Sequence, residues 1–326
     1  MEDLCHQLIQ GRYYLTKTIG RGGMAQVYLG EDRKLRRPVV VKLVREDLLN
    51  APDAAEVREQ FFKEARTLSA LDHPNIVPIH AFGHFQERPF MVMEYLPNNS
   101  LSRRMSEFAD HKTAANLLAQ IADALHYAHR NGVIHRDVKP DNILFDETDT
   151  PKLTDFGVVY FKPALEIDRD PDAKPEMLQG TPEYMAPERW KGNITPESDQ
   201  YALGVTFYEL LTGEWPYSGT SPWEVGDQHL ESPIRSVRQI LPFMPREVDG
   251  VIKRMMAKKP SQRFKDCAIA AAALRAIEQI PLTEGEMKRT RRTQRLRNRK
   301  IFRTLLILFG VSAVLIGLAF SLPLMF

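Results

Sequence analysis

His135-Arg136-Asp137-Val138-Lys139-Pro140-Asp141-Asn142, followed thirteen residues later by Asp155-Phe156-Gly157, is the stretch that decides the fold. Eight consecutive positions hold a His, an Arg, two Asp, a Lys and an Asn, and the second element follows a short strand-like run, Lys152-Leu153-Thr154. An amide and a carboxylate at this spacing, Asn142 and Asp155, can hold Mg²⁺ against phosphate oxygens. That leaves Asp137 to receive a proton from a hydroxyl.

Upstream, Gly20, Gly22 and Gly23 fall in a strand–turn–strand pattern, where positions without side chains let backbone N–H groups approach triphosphate oxygens. Hairpins use glycine constantly, so this element is weak evidence alone, and Ala25 occupies the place where a third glycine would complete G-x-G-x-x-G. Lys42 ends the apolar run Val39-Val40-Val41. A lysine in a buried strand needs an anionic partner, and Glu64 on the next helix is the candidate; otherwise Lys42 is a surface lysine on an edge strand.

Around these elements the periodicity divides the chain. Residues 12–50 read as three strands about the glycine turn, and 53–71 as a helix with Asp53 as N-cap, stopped by His73-Pro74. Further strands are expected at Ile76–Phe82 and Phe90–Tyr95. Helices are expected at 113–131, ending on Gly132, and at 198–212, 245–257 and 267–280. Cys5 and Cys267 lack metal-site spacing, which fits a reducing compartment.

These motifs, taken together, resemble the eukaryotic-like (Hanks-type) Ser/Thr protein kinases, in particular the bacterial membrane-anchored branch, over residues ~12–275. The resemblance implies an α+β bilobal protein-kinase fold. A small β-rich N-lobe with one helix (12–96) precedes a larger, mostly helical C-lobe (97–280), which together make the kinase domain 12–280. It implies transfer of the γ-phosphoryl group of ATP to Ser/Thr hydroxyls of protein substrates and of the chain itself, with Mg²⁺ or Mn²⁺. By position, Gly20 and Gly22 cover the phosphates, Lys42 contacts them and pairs with Glu64, and Asp137 orients and deprotonates the hydroxyl. Asn142 and Asp155 bind metal, and Lys139 neutralises the transferred phosphate and marks the Ser/Thr class, as does Gly180–Tyr184. Val27, Val40 and Leu144 enclose adenine, with Met93, Glu94, Tyr95 and Leu96 at the gatekeeper and hinge. Val40 departs from the family's usual alanine and narrows that pocket. Glu188 is expected to pair with Arg263, Asp199 to brace the catalytic loop, and Thr181 to be tied to Asp137 and Lys139.

One departure concerns regulation. No Ser or Thr occurs between Val158 and Gly180, where relatives carry a phosphorylated residue, but Glu166, Asp168, Asp170, Asp172 and Glu176 do. Either a carboxylate such as Glu176 pairs with Arg136, or the segment is simply a solvated acidic loop.

Charge separates the remainder. Residues 288–326 hold nine of the 44 basic residues and none of the 42 acidic ones, leaving 1–287 with 35 basic and 42 acidic side chains. A net −7 on the main domain argues against a nucleic-acid surface. Residues 304–326 contain no charge, and a helix of that length reaches about 35 Å, enough to cross a bilayer. A transmembrane helix at 304–324 is therefore expected, after a basic juxtamembrane segment at 281–303. The cations preceding the span place the kinase domain on the cytoplasmic side, and 288–303 should bind anionic lipids. Thr290 and Thr293 lie within it as either a phosphorylation switch or bystanders of a topology signal. Similar bacterial kinases form back-to-back N-lobe dimers, so the resemblance admits a homodimer that no pattern here demonstrates. The competing class is a catalytically silent membrane-anchored kinase-like scaffold, disfavoured by the intact Lys42, Asp137, Asn142 and Asp155.

Overall fold

A computed structural model of the chain describes residues 4–23, 25–52, 54–157 and 180–289. The chain divides into two units, Met1–Ile280 and Pro281–Phe326. Of the second, 281–289 are described, helical from 284 to 289. Among the described residues no helix is long and apolar enough to cross a membrane; the expected span and the basic stretch from 290 onward lie outside them.

The first unit opens with a six-stranded antiparallel sheet in the order β1-β2-β3-β4-β6-β5. Its strands are β1 (Leu8–Ile9), β2 (Tyr13–Arg21), β3 (Ala25–Asp32), β4 (Arg37–Val44), β5 (Ile79–Phe85) and β6 (Arg88–Glu94). Alternation decides which face each residue takes: Val39, Val41 and Leu43 of β4 are buried with Tyr13, Leu15 and Tyr28 on one side of the sheet. Val40 faces the other side, with Met91 and Met93 of β6. Two helices follow β4: the short α1 (Glu46–Leu49) and α2 (Ala54–Ser69), whose Val57, Phe61 and Ala65 seal that second face. The helix expected to run to residue 71 stops at Ser69, where the amides of Ala70 and Leu71 close tighter turns onto Thr67 and Leu68. Its expected N-cap, Asp53, lies outside the described residues. The strand expected from Ile76 begins at Ile79, because Asn75–Val77 pair instead with Leu153 from further along the chain.

Beyond the sheet, helices dominate: α3 (Leu101–Arg104), α4 (His111–Arg130), α5 (Pro196–Thr212), α6 (Pro222–Glu231), α7 (Val237–Ile240), α8 (Arg246–Met255) and α9 (Cys267–Glu278). A hairpin of β7 (Ile143–Phe145) and β8 (Pro151–Leu153) lies between α4 and α5 in sequence. Asp110 starts α4 by accepting the amides of Lys112 (3.1 Å) and Thr113 (3.0 Å), and Gly132 (φ +74°) follows its end in the left-handed conformation expected there. Nearly all of α5 is buried, so it forms the axis of the helical lobe, with α4 and α8 packed against it. At Gly204 the packing leaves no room: an added Cβ would stand 2.8 Å from the Met255 Cβ.

Candidate active site

The loop between α4 and β7 carries the first quoted motif and the turn after β8 carries the second, and each is strained at one residue. Arg136 (φ +72°) and Asp155 (φ +61°) both adopt left-handed backbone, which a residue with a Cβ keeps only when its surroundings impose it. At Arg136, Asp199 in the first turn of α5 supplies that constraint. One carboxylate oxygen accepts the His135 amide and the other the Arg136 amide, both at 2.8 Å, and His129 of α4 reaches the first oxygen through Nε2, also at 2.8 Å. Burial alone would raise the Asp199 carboxyl; hydrogen bonding and charge from His129, with the loop amides, hold it below its ordinary value instead.

His135 completes the frame. Its Nδ1 accepts the Asp137 amide (3.2 Å), which requires Nε2–H to donate to the Thr154 carbonyl (2.9 Å). Burial lowers the imidazole pKa, in keeping with this neutral tautomer. The ring also packs on Phe156, 4.5 Å between centroids, so one side chain links Asp137 to the Asp155-Phe156-Gly157 turn.

Around Asp137 the geometry is closed on every side but one. Oδ1 accepts the Thr181 amide and hydroxyl, both at 3.1 Å; Oδ2 accepts the Asn142 Nδ2 (3.0 Å) and lies 2.8 Å from the Lys139 ammonium. Lys139 also donates to the Thr181 hydroxyl (2.6 Å), so the expected tie between Thr181, Asp137 and Lys139 is present. The remaining side opens into a groove lined by Asp137, Lys139, Thr181, Pro182, Thr220 and Val225. With its amide nitrogen engaged by Asp137, Asn142 has its carbonyl oxygen as the atom for a cation.

Lys42 on β4 forms an ion pair with Asp155, across the cleft between sheet and helical lobe. The protein packed around Asp155 works against its charge, but Lys42, helped by the Thr154 hydroxyl and His135, holds the carboxyl below its ordinary value. The expected partner, Glu64, lies on α2, but its side chain is outside the described residues. Val40 stands opposite Met93 in the β4–β6 register and joins Met93, Leu96 and Leu144 in one apolar cluster, while Val27 lies between Gly20 and Lys42 in the registers of β3. Glu94, at the end of β6, is paired with Lys152 (2.8 Å). The glycine turn has open space above it. An added Cβ at Gly20 would come no nearer than 3.7 Å to another residue, at Gly22 no nearer than 3.8 Å, and at Gly23 would meet nothing within 4 Å. The protein's own packing does not require glycine there, so the cleared space suits a ligand that approaches the backbone.

Below the groove, Arg263 holds Glu188 with two hydrogen bonds of 2.7 Å, both side chains buried, as expected. Three contributors escape a reading of the sequence: His129, the Arg189 guanidinium on the Arg136 carbonyl, and Tyr184, whose hydroxyl joins Glu209 (2.6 Å) to Trp215 (3.1 Å). Only His129 left a signal, as a polar residue in the last turn of an apolar helix face. Among the described residues no group of three or more His, Cys, Asp or Glu is placed to hold a metal ion. The segment carrying Glu166–Glu176 lies outside the described residues.

Residues 13–275 match the family described as the protein kinase domain. The chain belongs to the protein kinase family. This kinase domain is similar to the serine/threonine-protein kinase PrkC of Bacillus subtilis, 37% identical over 260 residues that cover 79% of this chain and 39% of the relative. It is also similar to the serine/threonine-protein kinase PknA of Mycobacterium tuberculosis, 35% identical over 285 residues covering 84% and 63%. The chain thus spans between about two fifths and three fifths of the length of these relatives. Among solved structures, the PknI kinase domain of Mycobacterium tuberculosis superposes with a TM-score of 0.65 at 24% identity, covering 85% of this chain and 100% of that one, a likeness of fold.

Proposed function

We propose that the chain is a protein Ser/Thr kinase that transfers the γ-phosphoryl group of ATP to protein hydroxyls, its own included. The observation that carries this is Asp137: a carboxylate fixed by Thr181, Asn142 and Lys139 and open only toward the groove. A Ser or Thr side chain lying in that groove hands its proton to Asp137 as its oxygen bonds to the γ-phosphorus, while the bond from that phosphorus to the β–γ bridging oxygen breaks and ADP departs. Lys139 is placed to balance the charge that gathers on the transferred group. Lys42, now paired with Asp155, would serve the phosphates of ATP, and Asp155 with Asn142 would hold Mg²⁺ or Mn²⁺. Such an ion, when bound, neutralises phosphate charge. Gly20 and Gly22 cover the phosphates, and Val27, Val40, Leu144, Met93 and Leu96 offer adenine an apolar slot beside the hinge at Glu94.

Residues 304–324 are proposed as a transmembrane helix and 281–303 as the juxtamembrane segment, its cations at 288–303 meeting anionic lipid on the cytoplasmic side. The support is the uncharged run of 23 residues and the nine cations before it. The test is flotation of the full chain, which should rise with vesicles in 1 M salt; a chain that sediments at that salt contradicts the anchor. For the chemistry, labelled ATP with Mg²⁺ should label Ser/Thr of the chain and lose that label in Asp137→Asn. Absence of label on the chain and on an acceptor protein alike would leave the silent scaffold as the reading.

A further inference from the structure

The tip of the glycine turn is held from outside the groove, by a side chain to which the proposed reaction gives no part. β4 ends at Val44, which stands opposite Ala25 in the β3–β4 register, so antiparallel pairing sets the next residue, Arg45, beside the turn that precedes Ala25. Val44 is buried, and the buried Arg88 donates to its carbonyl (3.0 Å), which fixes the backbone at that point. The Arg45 guanidinium is engaged on two sides. Nε and Nη2 donate to the two carboxylate oxygens of Asp47, at 3.0 and 2.6 Å, a fork that aims the group. Nη1 then donates to the Gly23 carbonyl at 2.9 Å and, more weakly, to the Gly22 carbonyl at 3.4 Å. A trans peptide plane carries its N–H opposite its C=O, so carbonyls drawn toward Arg45 turn the amides of the same planes away from it. The Gly23 amide lies in one of those planes. Gly23 itself lines the groove together with Asp137, Lys139 and Thr181, and Arg45 is not among the walls of that groove. The Gly22 amide closes the turn on the Ala25 carbonyl (2.9 Å), while packing adds no support at the tip, since a Cβ at Gly23 would meet nothing within 4 Å.

We propose that Arg45 is a positioning residue for phosphate binding: it holds the carbonyls of the glycine tip outward so that the amides of those peptides face the phosphates of ATP, and Asp47 keeps its guanidinium aimed. Amides preset in this way bind phosphate oxygens without first having to order the loop. A direct cation for the phosphates fits less well, because Nε and the two Nη of Arg45 are already engaged by Asp47 and the two carbonyls, and Asp47 balances its charge. The inference rests on the reading of the chain as an ATP-dependent kinase and deepens it.

Equilibrium binding to the full chain with Mg²⁺ tests it, comparing a non-hydrolysable ATP analogue with adenosine, which lacks phosphates. Arg45→Met should raise Kd for the analogue about 5-fold and leave Kd for adenosine within about a factor of 2. Arg45→Lys, which keeps a donor for the carbonyls, should recover at least about half of that loss. Asp47→Ala separates positioning from charge. It removes a negative charge beside the glycine turn, so an Arg45 that acted only as a charge would leave binding of the analogue unchanged or tighter; positioning predicts binding about 3-fold weaker. Unchanged affinity for the analogue in Arg45→Met, or tighter binding in Asp47→Ala, overturns the proposal and leaves the kinase reading standing. Equal losses for analogue and adenosine assign Arg45 to the fold of the lobe and also overturn it. A wild-type chain that binds neither compound overturns both the proposal and the kinase reading.

Discussion

Asp137 has little freedom to turn from an incoming hydroxyl, because Thr181, Asn142 and Lys139 occupy its other approaches. The same logic makes Asp199 decisive at a distance from the chemistry. Asp199→Asn removes one acceptor from a set that serves His129 and two loop amides, so the left-handed Arg136 loses part of its restraint. We expect kcat to fall by ~10²-fold or more with KM for ATP within about a factor of 3, as for loss of a positioned base; kinetics with kcat unchanged would contradict the bracing role. Gly22→Val tests the other half of the cleft. Its side chain meets open space in the protein, so the melting temperature should stay within about 2 °C while KM for ATP rises ~10-fold. A large loss of stability with KM unchanged would mean that glycine serves the fold there. At this scale Asp137, Lys139, Asn142 and Asp155 were legible because their chemistry crowds into two short motifs. The Lys42–Asp155 pair was not, since 113 residues separate partners that only the folded cleft brings together.

Elements were legible where one side of each faces solvent. The period of α4 and α8 is visible because polar and charged residues occupy their outer faces, whereas α5 shows as a long, mostly apolar run. By contrast, α6 (Pro-Trp-Glu-Val-Gly-Asp-Gln-His-Leu-Glu) mixes breakers and polar residues and buries only Val225, Gly226 and His229, and β1 has two residues; neither gives a pattern to count. Packing between elements yields its own prediction. Gly204→Ala adds a methyl group where Met255 and Met256 already touch α5, and forcing α8 outward should cost about 1–3 kcal/mol despite the better helix propensity of alanine. Urea denaturation measures this; an unchanged or raised midpoint would show that the two methionines can repack.

Taken whole, the molecule should be sensitive to acid through histidines that fold as neutral rings. His135 is held below its ordinary pKa by burial, and His229, buried against Tyr201 (2.8 Å) with Lys258 nearby, falls to about 3. Depressed histidine values mean that the unfolded chain binds protons the folded one refuses. Stability is therefore complete above the ordinary imidazole value near 6.5 and declines below it, by up to ~1.4 kcal/mol per pH unit for each ring. His229→Gln, whose amide oxygen can still accept from Tyr201, should flatten this decline by about one proton's worth between pH 6 and 5. Urea melts across that range giving equal slopes for both proteins would contradict it.

All of these effects bear on one claim, that a fixed Asp137 serves phosphoryl transfer to hydroxyls of protein. The most direct measurement is transfer from labelled ATP with Mg²⁺ by the full chain and by Asp137→Asn, followed by mapping of the labelled residues. The account predicts phosphate on Ser and Thr, lost by at least ~10²-fold in the variant while the fold stays intact. Label that persists in Asp137→Asn, or wild-type protein that labels neither itself nor an acceptor protein, would contradict it.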